Sequence, residues 1–327
     1  AVASLYIAGL TTIAAVLDMY DLAPRQLIWT GMMFTASYAL GVSYLWSRRA
    51  GLRRLCNALR MPQRYDDEAA GRVWLVPATY LLAVCVLLPA FWSVLELEHF
   101  AQRIAAAHAV LAGAISVGLL ARGEKRSLLQ CHALWLGAAA AVTAAWSVLE
   151  PHAPGELLNR AVLTAAALAS VVALYGVGFS KLLRKENEWT AAANNVVPWL
   201  IGVTGLVLGC VLAIEAYEYR VNHGVVEISP TALISVIAAL LGLFAASLVA
   251  ALVPGRDPLG LSERGRTAYV YAAEAILALL FLHIRLTMPW LFTGMFSRYW
   301  PLVVMVLAFA GVALGELFRR SNRLVLS

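Results

Sequence analysis

Trp92-Ser-Val-Leu-Glu96 recurs letter for letter as Trp146-Ser-Val-Leu-Glu150. A pentapeptide containing Trp does not repeat by accident in a chain of 327 residues. Both copies stand where an apolar run gives way to a polar turn and then an arginine, Arg103 in one case and Arg160 in the other. Fainter copies flank them: Val16-Leu17-Asp18 followed by Arg25, and Val211-Leu212-Ala-Ile-Glu215 followed by Arg220. The unit reads as an apolar helix ending in an acid, a short turn, and a second apolar helix ending in a basic cluster.

Composition sets the solvent for these helices. Hydrophobic residues make up 61% of the chain and charged residues 13%, against roughly 45–50% apolar in a soluble domain. Apolar runs of about 20 residues, enough to cross a hydrocarbon core, recur along the whole chain. The reading is an all-α integral membrane protein in a single polytopic domain, 1–327. About ten transmembrane helices are expected near 2–20, 27–47, 73–95, 104–121, 128–148, 161–183, 196–217, 230–253, 268–286 and 299–318. They pair as five tandem hairpins over about 1–49, 73–126, 128–185, 196–256 and 268–320, with a basic loop at 48–72.

Positive charge fixes the expected orientation. Arg48-Arg49 with Arg53, Arg54, Arg60, Arg64 and Arg72 follow helix two, and Arg122, Lys125 and Arg126 follow helix four. Lys181, Arg184 and Lys185 follow helix six, Arg256, Arg264 and Arg266 follow helix eight, and Arg319, Arg320 and Arg323 follow helix ten. Cytoplasmic loops retain Lys and Arg, so both termini are expected in the cytoplasm of a bacterial inner membrane. The net charge of +6 is then loop asymmetry, and no nucleic-acid partner is implied. Leu52, Leu55 and Leu59, interleaved with arginines, fit an amphipathic helix on anionic headgroups or a solvated basic loop.

The helix–acidic turn–helix unit, closing in its last copy on Gly315-Glu-Leu-Phe-Arg319-Arg320, resembles uncharacterised bacterial multipass membrane proteins built from tandem two-helix hairpins. That resemblance implies a fold and no activity, cofactor or catalytic residue.

Few residues offer chemistry. Asp18, Glu96, Glu150 and Glu215 fall near the outer interface, either as helix-end acids paired with Arg25, Arg103, Arg160 and Arg220 or as an outward acidic rim. Trp92 and Trp146 fit an interfacial aromatic belt. Charges inside a bilayer cost roughly 2.5–3.5 kcal/mol at a helix centre, which singles out Glu274 in the ninth helix. Arg285 follows eleven residues on, on the same face and about 16 Å away. His283 points to the opposite side. These three form the candidate intramembrane polar site.

No cofactor or metal is predicted. His108 and His132 differ in depth by roughly 15–20 Å and do not share one haem iron, whereas His108 and His283 lie in one leaflet. His99, His152 and His223 fall in outward turns. Cys56, Cys85, Cys131 and Cys210 show no metal spacing and read as small buried apolar residues. Asn194-Asn195-Val-Val-Pro198 reads as a helix start with an early proline. There is no Gly-rich phosphate loop, GxSxG or HExxH. Small-residue runs such as 138–145 let helices approach closely or meet another subunit. The leading expectation is a non-enzymatic scaffold or anchoring subunit of a larger membrane assembly. Behind it stand a small-solute transporter or channel with a polar path near Glu274 and Arg285, and a lipid- or acyl-modifying membrane enzyme.

Overall fold

The computed structural model describes residues 2–19, 24–48, 58, 71–86, 100–124, 126–149, 155–181, 188–252, 259, 261, 264–293, 297–302, 305–306 and 309. Every regular element among them is helical. In chain order they are α1 (Val2–Met19), α2 (Pro24–Ser47), α3 (Val76–Cys85), α4 (Phe100–Glu124), α5 (Ser127–Ser147), α6 (Glu156–Lys181), α7 (Glu188–Val221), α8 (Pro230–Leu252) and α9 (Thr267–Thr287). Six of these, α4 to α9, are long and apolar enough to cross a membrane.

Local chemistry explains where several helices begin. α8 opens at Ser229-Pro230: the Ser229 hydroxyl accepts from the Ala232 amide at 3.2 Å, and Pro230 sits where a missing N–H costs nothing. A π-helical turn, Gly71–Leu75, precedes α3. Pro77, in its first turn, has no N–H for the Val73 carbonyl, and the chain widens just before it. The starts of α5, α8 and α9 lie within a residue of the sequence expectation. α7 does not: it runs through Pro198 from Glu188 rather than starting near 196. Of the expected tenth helix, 299–318, residues 300–302, 305–306 and 309 are described and helical, while the rest of it, the second half of the third helix and nearly all of the 48–72 loop fall outside the described residues.

The chain divides into two compact units, 1–153 with 187–192, and 154–186 with 193–327. In the first, α4 packs on α2 and α5, while α3 packs on α2 and α4 and α1 lies along α2. Small residues make this closeness possible. Ala36, Ala109, Ala114 and Ala140 share one buried cluster with Met32 and Val110, and Ala39, Ala83, Val117 and Ala133 share another. At Gly9 a Cβ would come 2.5 Å from the Tyr38 ring, so the ring lies directly over this glycine where α1 meets α2.

Polar side chains also join helices in this unit. Ser43 and Ser116, both fully buried, meet at 2.6 Å between α2 and α4. Ser116 also donates to the Ala39 carbonyl at 3.1 Å. Glu124 ends α4 by accepting from Trp46 Nε1 at 3.0 Å and facing Arg72 Nε at 3.5 Å. Its two oxygens tie α4 to α2 and to the π turn.

The second unit packs α8 between α6 and α9. Gly155, at φ 67°, lets the start of α6 approach the chain at Glu227, whose carbonyl would lie 2.5 Å from a Cβ there. Asn159, 3% exposed, accepts from the Ser229 amide at 2.8 Å. α6 thereby holds the segment that starts α8.

Candidate functional site

The buried face of α9 runs Tyr269, Ala273, Ile276, Leu280, His283, a spacing of four, three, four and three that keeps one stripe turned inward. The inward stripe of α7 runs Leu200, Thr204, Leu208, Val211, Glu215. Each ends near its helix C-terminus on an ionisable residue, in a position the periodicity reserves for an apolar one. These two meet. Glu215 Oε1 lies 2.8 Å from His283 Nδ1, with Glu215 0% and His283 2% exposed.

Among the described residues the remaining atoms of the pair have no partner: Glu215 Oε2 and His283 Nε2 are both buried without a hydrogen bond. The hydroxyl one turn beyond His283 does not serve them, because Thr287 donates to His283 O at 2.7 Å. An unmade buried hydrogen bond costs about 1–3 kcal/mol. The pair therefore carries a standing cost that a fully bonded helix anchor would avoid.

A second acid leads outward from it. Glu218, one turn beyond Glu215 on α7, is half-buried. Its carboxyl accepts from the Glu227 backbone amide and lies within electrostatic reach of the Glu215 and Glu227 carboxyls. Its Oε2 is buried and unpartnered, while Glu227 is exposed. The connecting turn is tight: His223 at φ 53° and Gly224 at φ 94° end α7, and the Gly224 amide donates to Tyr219 O at 2.7 Å. This is the six-to-one bond of a Schellman cap.

The sequence-derived candidates scatter around this pair. Glu274 and Arg285 are exposed on α9, on the face away from His283. The Arg285 guanidinium stands 5.0 Å from the Phe292 ring, beside a cluster of Phe281, Phe292 and Trp300 whose last two rings stack at 4.4 Å. Of the four rim acids, Glu96 and Glu150 lie outside the described residues, and Asp18 lies in α1 without a described side chain. Glu215 departs from the solvated helix-end reading. α7 continues to Val221, which sets Glu215 six residues inside the helix and on its buried stripe. Arg160 pairs with Glu156, and Arg103 donates to Ser147 O at 3.1 Å. Both had been candidates for the rim acids.

The histidines are spread apart. His132 Nδ1 lies 2.8 Å from the Tyr80 hydroxyl, His108 Nδ1 lies 3.3 Å from Ile104 O, and His223 is an exposed turn residue. Among the described residues no three His, Cys, Asp or Glu side chains cluster as a metal site would require. Comparison with protein-family models, curated proteins and solved structures finds no match to this chain.

Proposed function

We propose that the chain is a small-solute transporter or channel of the bacterial inner membrane, with the Glu215–His283 pair as its polar centre. Ten spanning helices in five tandem hairpins, with both termini cytoplasmic, is the arrangement that its five basic loops support. One observation carries the functional reading: a carboxylate and an imidazole, sealed between two apolar helices, each keep an unpaired atom. Ionisable groups inside a membrane domain are costly, and they are characteristic of ion and substrate pathways. A structural anchor gains nothing from the unpaired atoms, whereas a site that takes up and releases a ligand needs them.

The test is flux. Purified protein in liposomes would be offered a panel of labelled amino acids, sugars and inorganic ions, with and without a pH gradient. The proposal expects uptake of at least one class, falling about 10²-fold in Glu215→Gln while the variant still elutes as a folded species. Uptake that is equal in both proteins would overturn it.

A scaffold or anchoring role in a larger assembly is the second reading, supported by the outer face of α7. A Cβ at Gly202, Gly205 or Gly209 would meet nothing within 4 Å among the described residues, and Trp199 and Leu206 beside them are 71% and 70% exposed. Small residues flanked by large ones suit close approach by another membrane helix. Gentle extraction giving a complex of fixed composition would favour this role, and a lone 35.3 kDa chain would count against it.

A further inference from the structure

We propose that Glu227, Glu218, Glu215 and His283 form a proton relay, in which the buried pair takes up and releases one proton delivered from the loop end of α7. The proposal rests on the transport reading and names the coupling ion. Its first support is the gradient of burial: Glu227 is exposed, Glu218 half-buried, and Glu215 and His283 sealed. Its second is that each inner member keeps a buried polar atom without a hydrogen-bond partner among the described residues: Glu218 Oε2, Glu215 Oε2 and His283 Nε2. Chains of acids and histidines of this kind carry protons in membrane pumps and transporters.

The donor set fits a proton better than a metal cation. One free carboxylate oxygen and one free imidazole nitrogen make two ligands, where structural zinc takes four and calcium six to eight. No further His, Cys, Asp or Glu completes such a set among the described residues.

The proton balance is simple. With Glu215 ionised and His283 neutral, Nδ1–H donates to Oε1, Nε2 is an empty acceptor, and the pair has one negative charge. A proton from water bonds to the Glu218 carboxylate. Its O–H bond then breaks as the proton passes through entering water and a new O–H bond forms at Glu215 Oε2, leaving Glu218 ionised again. The pair is now neutral, with the added proton held as Glu215 O–H or, after transfer, as Nε2–H of an imidazolium facing ionised Glu215. Release from Nε2 or Oε2 restores the first state. Burial in a low-dielectric surround makes the two charge states differ in energy and in preferred helix spacing, which is what couples proton occupancy to movement.

Other charged groups leave this account intact. α8 carries no ionisable side chain between Pro230 and Leu252. On α6, Glu156 and Arg160 pair with each other. On α7, Tyr217 and Arg220 are exposed and Tyr219 is half-buried; on α9, Glu274 and Arg285 are exposed, as is His223 in the turn.

Two readouts on the full-length purified protein test the relay. In pH-difference infrared spectra, the carbonyl stretch of a buried protonated carboxyl should be present in the wild type and lost in Glu215→Gln. After a stopped-flow pH jump with an indicator dye, proton uptake should slow about 10²-fold in Glu218→Gln, a substitution that spares the buried pair and its folding role. A band that survives Glu215→Gln, or uptake unchanged in Glu218→Gln, would overturn the relay. Neither readout needs a transported solute. A positive result with no flux in liposomes would therefore retain the relay and reject the transport reading.

Discussion

Gly155 occupies a left-handed conformation at φ 67° with the Glu227 carbonyl where a side chain would begin. The two constraints are independent, one within the residue and one across to the next loop. Gly155→Ala should therefore lower stability by about 3 kcal/mol, combining the left-handed cost with an overpacked contact. The opposite sign is expected one loop away. His223 holds φ 53° at the position after the α7 cap where glycine is preferred, so His223→Gly should raise stability by about 1 kcal/mol. Thermal melts in detergent check both. An unshifted midpoint for Gly155→Ala would contradict the close approach of α6 to the 224–230 segment.

At the same scale, the site was half legible in the chain. His283 lies three residues beyond Leu280 and seven beyond Ile276, on the phase of the apolar stripe, and that phase sets it opposite Glu274 and Arg285. Glu215 was hidden by its company. It follows Val211-Leu212 with two residues between, where Glu96 and Glu150 follow their Val-Leu pairs directly, and the loose analogy places it in a solvated turn. Counting stripe positions from Leu200 would have placed it inside. What single-helix periodicity does not contain is that Glu215 of α7 meets His283 of α9, because that contact joins residues 68 positions apart.

Helices in the first unit are held by closeness more than by polar bonds. Ser116 gives its one proton to Ala39 O, so Ser43 must donate to Ser116. If Ser116 is cut to alanine, the Ala39 carbonyl is freed and stands four residues before Ser43 on the same helix, within reach of the Ser43 hydroxyl. Ser116→Ala should therefore cost only about 0.6 kcal/mol, typical of interhelical hydrogen bonds in membranes. Ser116→Leu should cost about 1–3 kcal/mol, because it forces apart helices that meet through Ala36, Ala39 and Ala83. Equal losses in the two variants would mean that the hydrogen bond, and not the spacing, holds α2 to α4.

Some element boundaries were readable from a local signal. Ser229-Pro230 starts α8 where cap chemistry says it should, and α5 and α9 begin within a residue of expectation. Pro198 misled, because a proline followed by an apolar run reads as a helix start. In the folded chain Ala192, Val196, Val197 and Leu200 are buried on both sides of it. That packing offsets the one hydrogen bond the proline removes.

For the whole molecule, composition alone set the solvent and the helical class, and six described helices have the length and apolarity to cross a bilayer. In the second unit, two apolar stripes each end on a buried ionisable residue. The account stands on those residues acting as a pair. A double-mutant cycle tests it most directly: Glu215→Gln, His283→Gln and both together, followed by reversible unfolding in detergent. Each single variant should lose about 3 kcal/mol by leaving its buried partner uncompensated, and the double variant should lose about 1–3 kcal/mol less than the sum. Strictly additive losses would mean that the two residues do not act on each other, and would contradict the account.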